Sequence, residues 1–224
     1  MLISTSHSKS SRFMPSVSTL HLTKFMASYG MPVTYFLDLV VDESVVYELK
    51  AVAQLTAEHQ AQLLNYLLLL DVNHGKIINM RPRSVDHRFV NSNRTLAERR
   101  DFLMRASSWG GAAQVVSLVT DLLKDWGTGL SLALYHQAMV HFLGGESRVI
   151  RELPIHRDDT SLGNQRFHML DETSAFRLSA FDQPSRGYLK QVQRLLSFSP
   201  LTAIHWINIA HQEITFTTVT KKNL

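Results

Sequence analysis

The chain has 224 residues, room for one ordinary domain or two small ones. It has no cysteine, which excludes disulfides and thiolate metal sites and agrees with a reducing, cytoplasmic setting; its eleven histidines show no spacing of zinc ligands within one helix. Lys and Arg outnumber Asp and Glu by 23 to 19, for a net charge of +4, a mild excess that suits a polyanion such as DNA or RNA without requiring one.

Residues 1–33 contain no Asp or Glu and are rich in Ser, Thr, His and Lys. The composition is that of a transit peptide, but no continuous apolar stretch follows the first Met, so a secretory signal is not expected. The segment is read as an atypical or disordered N-terminal extension. No apolar run is long enough for a membrane span; the longest, Leu63 to Leu70, is short and is interrupted by Asn65 and Tyr66.

The next stretch is the most informative. Tyr35–Val41 and Val45–Ala51 are rich in β-branched, aromatic and aliphatic residues, and Asp42-Glu43-Ser44 between them is a polar turn, which predicts a hairpin. Glu48 and Lys50 are two apart on the second strand and share a face. Asp38 lies near the middle of the first strand. Two carboxylates on adjacent strands suit a hard cation such as Mg²⁺, which completes its shell with water and substrate phosphate. A neighbouring ammonium can stabilise charge that develops in a transition state. The same pattern also fits a partly buried ion pair without chemistry.

Thr56 reads as the N-cap of a helix running to Leu70, with an apolar face formed by Leu63, Leu64, Leu67, Leu68 and Leu70. His59, Gln62 and Tyr66 form a polar-tipped stripe on it, which either lines a site or fills the helix–sheet boundary. Ile77–Met80 is the next strand, reached through the helix and therefore parallel to the Glu48 strand.

Four segments in this order, Asp38-Leu-Val-Val41, Val46-Tyr-Glu-Leu-Lys-Ala51, His59-Gln-Ala-Gln-Leu-Leu-Asn-Tyr-Leu67 and Gly75-Lys-Ile-Ile-Asn79, resemble the signature of the GxxExxY proteins. That family is a bacterial branch of the PD-(D/E)xK nuclease-like superfamily, and the likeness spans roughly residues 34–80. It implies an α/β fold with a mixed sheet flanked by helices. It also implies a catalytic set of Asp38, Glu48, Lys50 and Gln62, with Asp38 and Glu48 as ligands of Mg²⁺ or Mn²⁺ and Lys50 as the catalytic lysine. Members of the family open with a helix carrying G-x-x-E-x-x-Y, whose Glu helps complete the site. No acidic residue precedes Asp38 here, so that group is missing.

From Arg81 to Arg105 the chain carries seven arginines, which read as phosphate contacts or as a solvated face. Asn93-Arg-Thr95 matches a glycosylation sequon without other signs of secretion. Ser107–Gly111 is a loop before a helix at about 112–126. The second half then echoes the first. Glu48 and Arg177, Gln62 and Gln191, and Asn79 and Asn208 all share one spacing along the chain. His168 would answer Asp38 if the turn slipped by one residue. Gly127–Tyr135 resembles the family's opening helix, with Leu132 in place of its Glu. The expected organisation is a nuclease-like core at 34–90, an Arg-rich helical linker at 91–126 and a degenerate second copy at 127–224, duplicated in tandem. In that copy Asp, Glu and Lys have become His168, Arg177 and Ser179. Three functions compete: a metal-dependent nuclease, a pseudo-nuclease that binds nucleic acid or protein, and an interaction module with no nucleic-acid role.

Overall fold

The polar triplet between the two apolar runs does turn the chain. Ser44 N–H donates to the Val41 carbonyl at 3.1 Å, and Asp42 and Glu43 both take left-handed φ values of 49° and 54°. Successive left-handed residues match the right-handed twist of the flanking strands, at a small conformational cost for residues other than glycine. In this computed structural model, which describes the backbone of residues 2–5, 17–25, 32–183 and 186–221 and the side chains from Tyr35 onward, the turn joins β3 (Pro32–Val41) to β4 (Val45–Lys50). The chain divides into two units, Met1–Arg100 with Asp125–Ser131, and Asp101–Lys124 with Leu132–Leu224.

In the first unit, β1 (Leu2–Thr5) and β2 (Val17–Phe25) precede the hairpin, and α1 (Ala57–Leu70) carries the chain over to β5 (His74–Asn79), which lies parallel to β4. β6 (Asp86–Asn91) then returns antiparallel, so the six strands lie in chain order. α1 begins at Thr56, whose N–H donates to Nδ1 of His59 at 3.0 Å, and ends at Asp71 in the left-handed conformation. Leu63 and Leu67 of the helix and Leu37, Val46 and Ile77 of the sheet are all completely buried. The approach is close at Gly75: a Cβ there would come within 3.0 Å of Leu63. The short α2 (Leu96–Arg100) brings in Arg99, whose buried guanidinium donates to the carbonyls of Leu68, Trp126 and Thr128. β2 falls in the stretch expected as an extension, yet it is a sheet strand, laddered to β3 from Val17↔Val41 to Phe25↔Pro32.

In the second unit, β7 (Leu103–Ser108) and α3 (Ala113–Trp126, all but its last two residues) are followed by α4 (Leu132–Phe142) and α5 (Glu146–Val149). The hairpin β8 (Ile150–Arg157) and β9 (Thr160–Met169) leads to β10 (Ser174–Ser179), α6 (Arg186–Phe198), β11 (Ala203–Ile209) and β12 (Glu213–Thr220). The sheet order is β7-β12-β11-β10-β9-β8. Its core gathers Phe167, Met169, Ala175, Val192, Leu196 and Ile204. The stretch 91–126 is thus not helical throughout. It contains β7, which pairs parallel with β12, and it is divided between the units. β7 reads LMRASS, half polar, because it is an edge strand with one side of its backbone unpaired.

The two sheets repeat one ladder. Val45↔His74 through Lys50↔Asn79 in β4–β5 becomes Ser174↔Ala203 through Ser179↔Asn208 in β10–β11, with every partner displaced along the chain by the spacing that relates Glu48 to Arg177. Asn79↔Asp86 becomes Asn208↔Thr215 at that same spacing, which also relates the first residue of α1, Ala57, to that of α6, Arg186. Leu39↔Tyr47 becomes His168↔Phe176 in the same way. No slip is needed in the turn. His168 therefore occupies the place of Leu39, and Phe167, not His168, occupies that of Asp38.

Candidate active site

The alternation of β4 turns Glu48 and Lys50 toward α1. Lys50 Nζ donates to Oε1 of Glu48 at 2.7 Å and to Oε1 of Gln62 at 2.9 Å. Gln62 in turn donates from Nε2 to the Tyr66 hydroxyl at 2.7 Å, one helical turn along α1. Tyr35 meets Tyr66 edge-on, with ring centroids 5.6 Å apart. Of the predicted stripe, Gln62 and Tyr66 thus join this network, whereas the His59 ring turns back to cap the helix at Thr56.

The β3–β4 ladder ends at Leu39↔Tyr47. Beyond that pair the strands part, and Asp38 Oδ2 accepts the N–H of Leu49 at 2.7 Å. Asp38, Glu48, Lys50 and Gln62 are therefore brought together at one strand fork. Below the fork, Asn79 is fully buried and holds the chain after β4 by both ends of its amide: Oδ1 accepts from Val52 N–H at 3.1 Å, and Nδ2 donates to the Val52 carbonyl at 2.8 Å.

Glu48 is only 4 % exposed. Burial pushes its carboxyl above the ordinary carboxylate value; the hydrogen bond and charge of Lys50 pull it down, and the charge of Asp38 pushes it up. Its Oε2 is buried and has no hydrogen-bond partner. An orphaned carboxylate oxygen beside a second carboxylate is what a hard, oxygen-seeking cation requires. The donor set fits such an ion but is sparse: among the described residues no group of three or more His, Cys, Asp or Glu could hold a metal. Two carboxylates would leave the remainder of the shell to water and phosphate.

Residues 12–90 match the family model of the PD-(D/E)XK nuclease superfamily. The matched span takes in β2 to β5, most of β6 and all four candidate site residues, and it stops short of the second unit. The two mixed sheets flanked by helices agree with a PD-(D/E)XK fold. No curated protein and no solved structure matches the chain.

Tyr35, Tyr66 and Asn79 were not in the expected catalytic set. Tyr66 sits four residues after Gln62, a spacing that could have placed it there. Asn79 offers no such clue, because its role is to bond backbone 27 residues away. The equivalent places in the second unit hold no such chemistry. Ser179 Oγ donates to Asn208 Oδ1 at 2.7 Å and accepts from Trp206 Nε1 at 2.7 Å, closing a buried network where Lys50 would stand. Gln191, at the place of Gln62, is exposed.

Proposed function

We propose that the first unit is a metal-dependent, nuclease-related site that acts on or binds nucleic-acid phosphodiesters. The observation that carries this reading is Lys50 Nζ held between Glu48 and Gln62, next to the unpartnered Oε2 of Glu48, inside the span that matches the superfamily. A bound Mg²⁺ or Mn²⁺ would acidify a water and neutralise phosphate charge. Asp38 and Glu48 supply its carboxylate oxygens. Gln62 holds the Lys50 ammonium in place, where it can orient the attacking water or stabilise developing charge. Exposed Arg81, Arg83 and Arg88 in the same unit supply positive charge for a DNA or RNA backbone.

A second reading, a catalytically impaired pseudo-nuclease that serves as a nucleic-acid or protein interaction module, is favoured by the sparse ligand set among the described residues. We also infer that the chain arose by tandem duplication of one nuclease-like fold, with the chemistry retained in the first copy. The common spacing found in three separate ladders supports this. Incubation of the full chain with plasmid and with DNA and RNA oligonucleotides, in Mg²⁺ and in Mn²⁺, tests the main reading. Cleavage by the native chain that is lost in Lys50→Ala supports it. Binding without cleavage, unchanged in Lys50→Ala, selects the second reading.

A further inference from the structure

The fork in the second unit holds a cavity. The β9–β10 ladder runs only through Ala175↔Met169 and Phe176↔His168, and beyond it the strands part as they do at Asp38. A cavity of about 340 Å³ opens there, lined by Arg166, Phe167 and His168 of β9, Arg177 and Leu178 of β10, and His136 of α4. That volume lies at the small end of the range for ligand pockets. Every charged side chain that lines it is basic. Among the described residues neither guanidinium is in an ion pair; Arg177 lies over the Tyr188 ring at 5.9 Å, an arrangement that leaves its N–H donors free for a ligand.

Two imidazoles add to the donor set. The rings of His136 and His168 are 4.8 Å apart, and Nδ1 of His136 is buried with no hydrogen-bond partner. Neutral imidazoles still carry one N–H each. Leu178 occupies the place of Leu49, whose N–H is the one that points into the first fork. At the place of Asp38 stands Phe167, which offers no acceptor to that amide. The ladder also puts Arg177 at the place of Glu48. The sign of the fork is inverted: one collects carboxylates suited to a cation, the other collects donors suited to an anion.

We propose that the fork of the second unit binds a phosphomonoester directly, without a metal ion, as either a free nucleoside monophosphate or the 5′-phosphate at the end of a nucleic-acid strand. The guanidinium of Arg177 supplies planar paired donors that match phosphate oxygens, and exposed Arg166 stands at the entrance. A terminal phosphate can enter a strand fork end-on, whereas an internal phosphodiester would have to run through it. The proposal stands apart from the cleavage reading, because it involves neither Asp38, Glu48 nor Lys50.

The test uses the full chain in EDTA, which silences any metal site. Fluorescence anisotropy is read with a short 3′-labelled DNA oligonucleotide carrying either a 5′-phosphate or a 5′-hydroxyl, with dAMP and inorganic phosphate as competitors. The 5′-phosphorylated strand should bind at least tenfold more tightly. Arg177→Gln and Arg166→Gln should each remove most of that preference, and Arg177→Lys should restore part of it. Arg166 is exposed, so its variant should fold with an unchanged melting temperature even if Arg177→Gln does not. Competition by dAMP matching that of the phosphorylated strand identifies a free nucleotide as the ligand; weak competition by dAMP identifies the strand end. Equal affinity for the two oligonucleotides with no competition by dAMP, or an undiminished preference in Arg166→Gln, overturns the proposal.

Discussion

The two strand forks differ in almost every polar side chain and agree in the bonds beneath them. In the first unit, Asn79 exchanges two hydrogen bonds with Val52, at 3.1 and 2.8 Å. In the second, Asn208 exchanges two with Phe181, at 2.8 and 2.9 Å. An asparagine at the equivalent ladder position grips the equivalent point of the chain in both units. Above it, Glu48 and Lys50 are replaced by Arg177 and Ser179. Scaffold and chemistry are separable for a physical reason. The asparagine satisfies part-buried backbone groups of the chain just after the strand, a need set by the fold and not by a ligand. Lys50 bonds to Glu48 and Gln62, Asp38 accepts the Leu49 N–H, and Oε2 of Glu48 is left without a partner. Where nothing binds at such a place, burying charged groups is a cost that substitution removes.

That contrast can be broken most sharply at the lysine position. Lys50→Ala should lower cleavage by about a hundredfold or more, the usual loss when a preorganised charge is removed from a reacting centre. Ser179→Ala should leave the rate unchanged when both are assayed well below their melting temperatures. Equal losses in the two variants would mean that the forks are not divided as described.

The shared grip is tested by stability. Asn79→Ala and Asn208→Ala should each destabilise their unit by about 1 kcal/mol or more through the loss of two part-buried hydrogen bonds, read as a lower urea midpoint. A neutral Asn208→Ala would show that the matching bonds are incidental.

Acid should separate the units further. Burial, with the nearby His168 ring and the charge of Arg177, lowers His136 from the ordinary 6.5 to about 4, and burial also lowers His168. A depressed imidazole gives stability that is complete above its unfolded value and is lost as pH falls below it. The melting temperature should therefore drop between pH 7 and pH 4.5, and His136→Phe should flatten part of that drop, since its ring already stacks on Phe176.

The smallest effect has the opposite sign. The carboxyl of Glu48 is raised by burial, so its contribution is fully present below the ordinary value of 4.5 and is lost as pH rises through the raised one. In EDTA at pH 8, Glu48→Gln should raise the melting temperature of the first unit by about 2–4 °C. Mg²⁺ or Mn²⁺ should stabilise the native chain and not this variant. A metal-induced rise that persists in Glu48→Gln would place the ion elsewhere.

Much of the first fork was legible because its signals are local. The period-two apolar run, the polar triplet and the i, i+2 pair of Glu48 and Lys50 lie close together in sequence, and the helix that carries Gln62 follows directly. β2 was obscured by composition: without a single carboxylate the segment read as an atypical or disordered extension, although Leu20 and Leu22 already alternate with polar residues. β7 was hidden for another reason, since an edge strand is free to be polar. The common spacing shows in scattered single residues, and most clearly in the turn. Asp42-Glu43-Ser44 returns as Asp171-Glu172-Thr173, again at the common spacing, and fixes the turn without a slip. The pairing of His136 with His168 joins α4 to β9 and has no local spacing to announce it.

The closed network at Ser179 makes the difference between the forks hard to reverse. A lysine grafted at that position would bring an ammonium that can only donate, against an indole N–H that also donates, so Trp206 would lose its acceptor. It would also need a carboxylate at 177 and another at 167, where a buried Phe now packs in the core. Each of these changes made alone costs stability before any rate appears. Evolution or design could lose the first fork's chemistry in one step, but rebuilding it in the second would require several steps taken together.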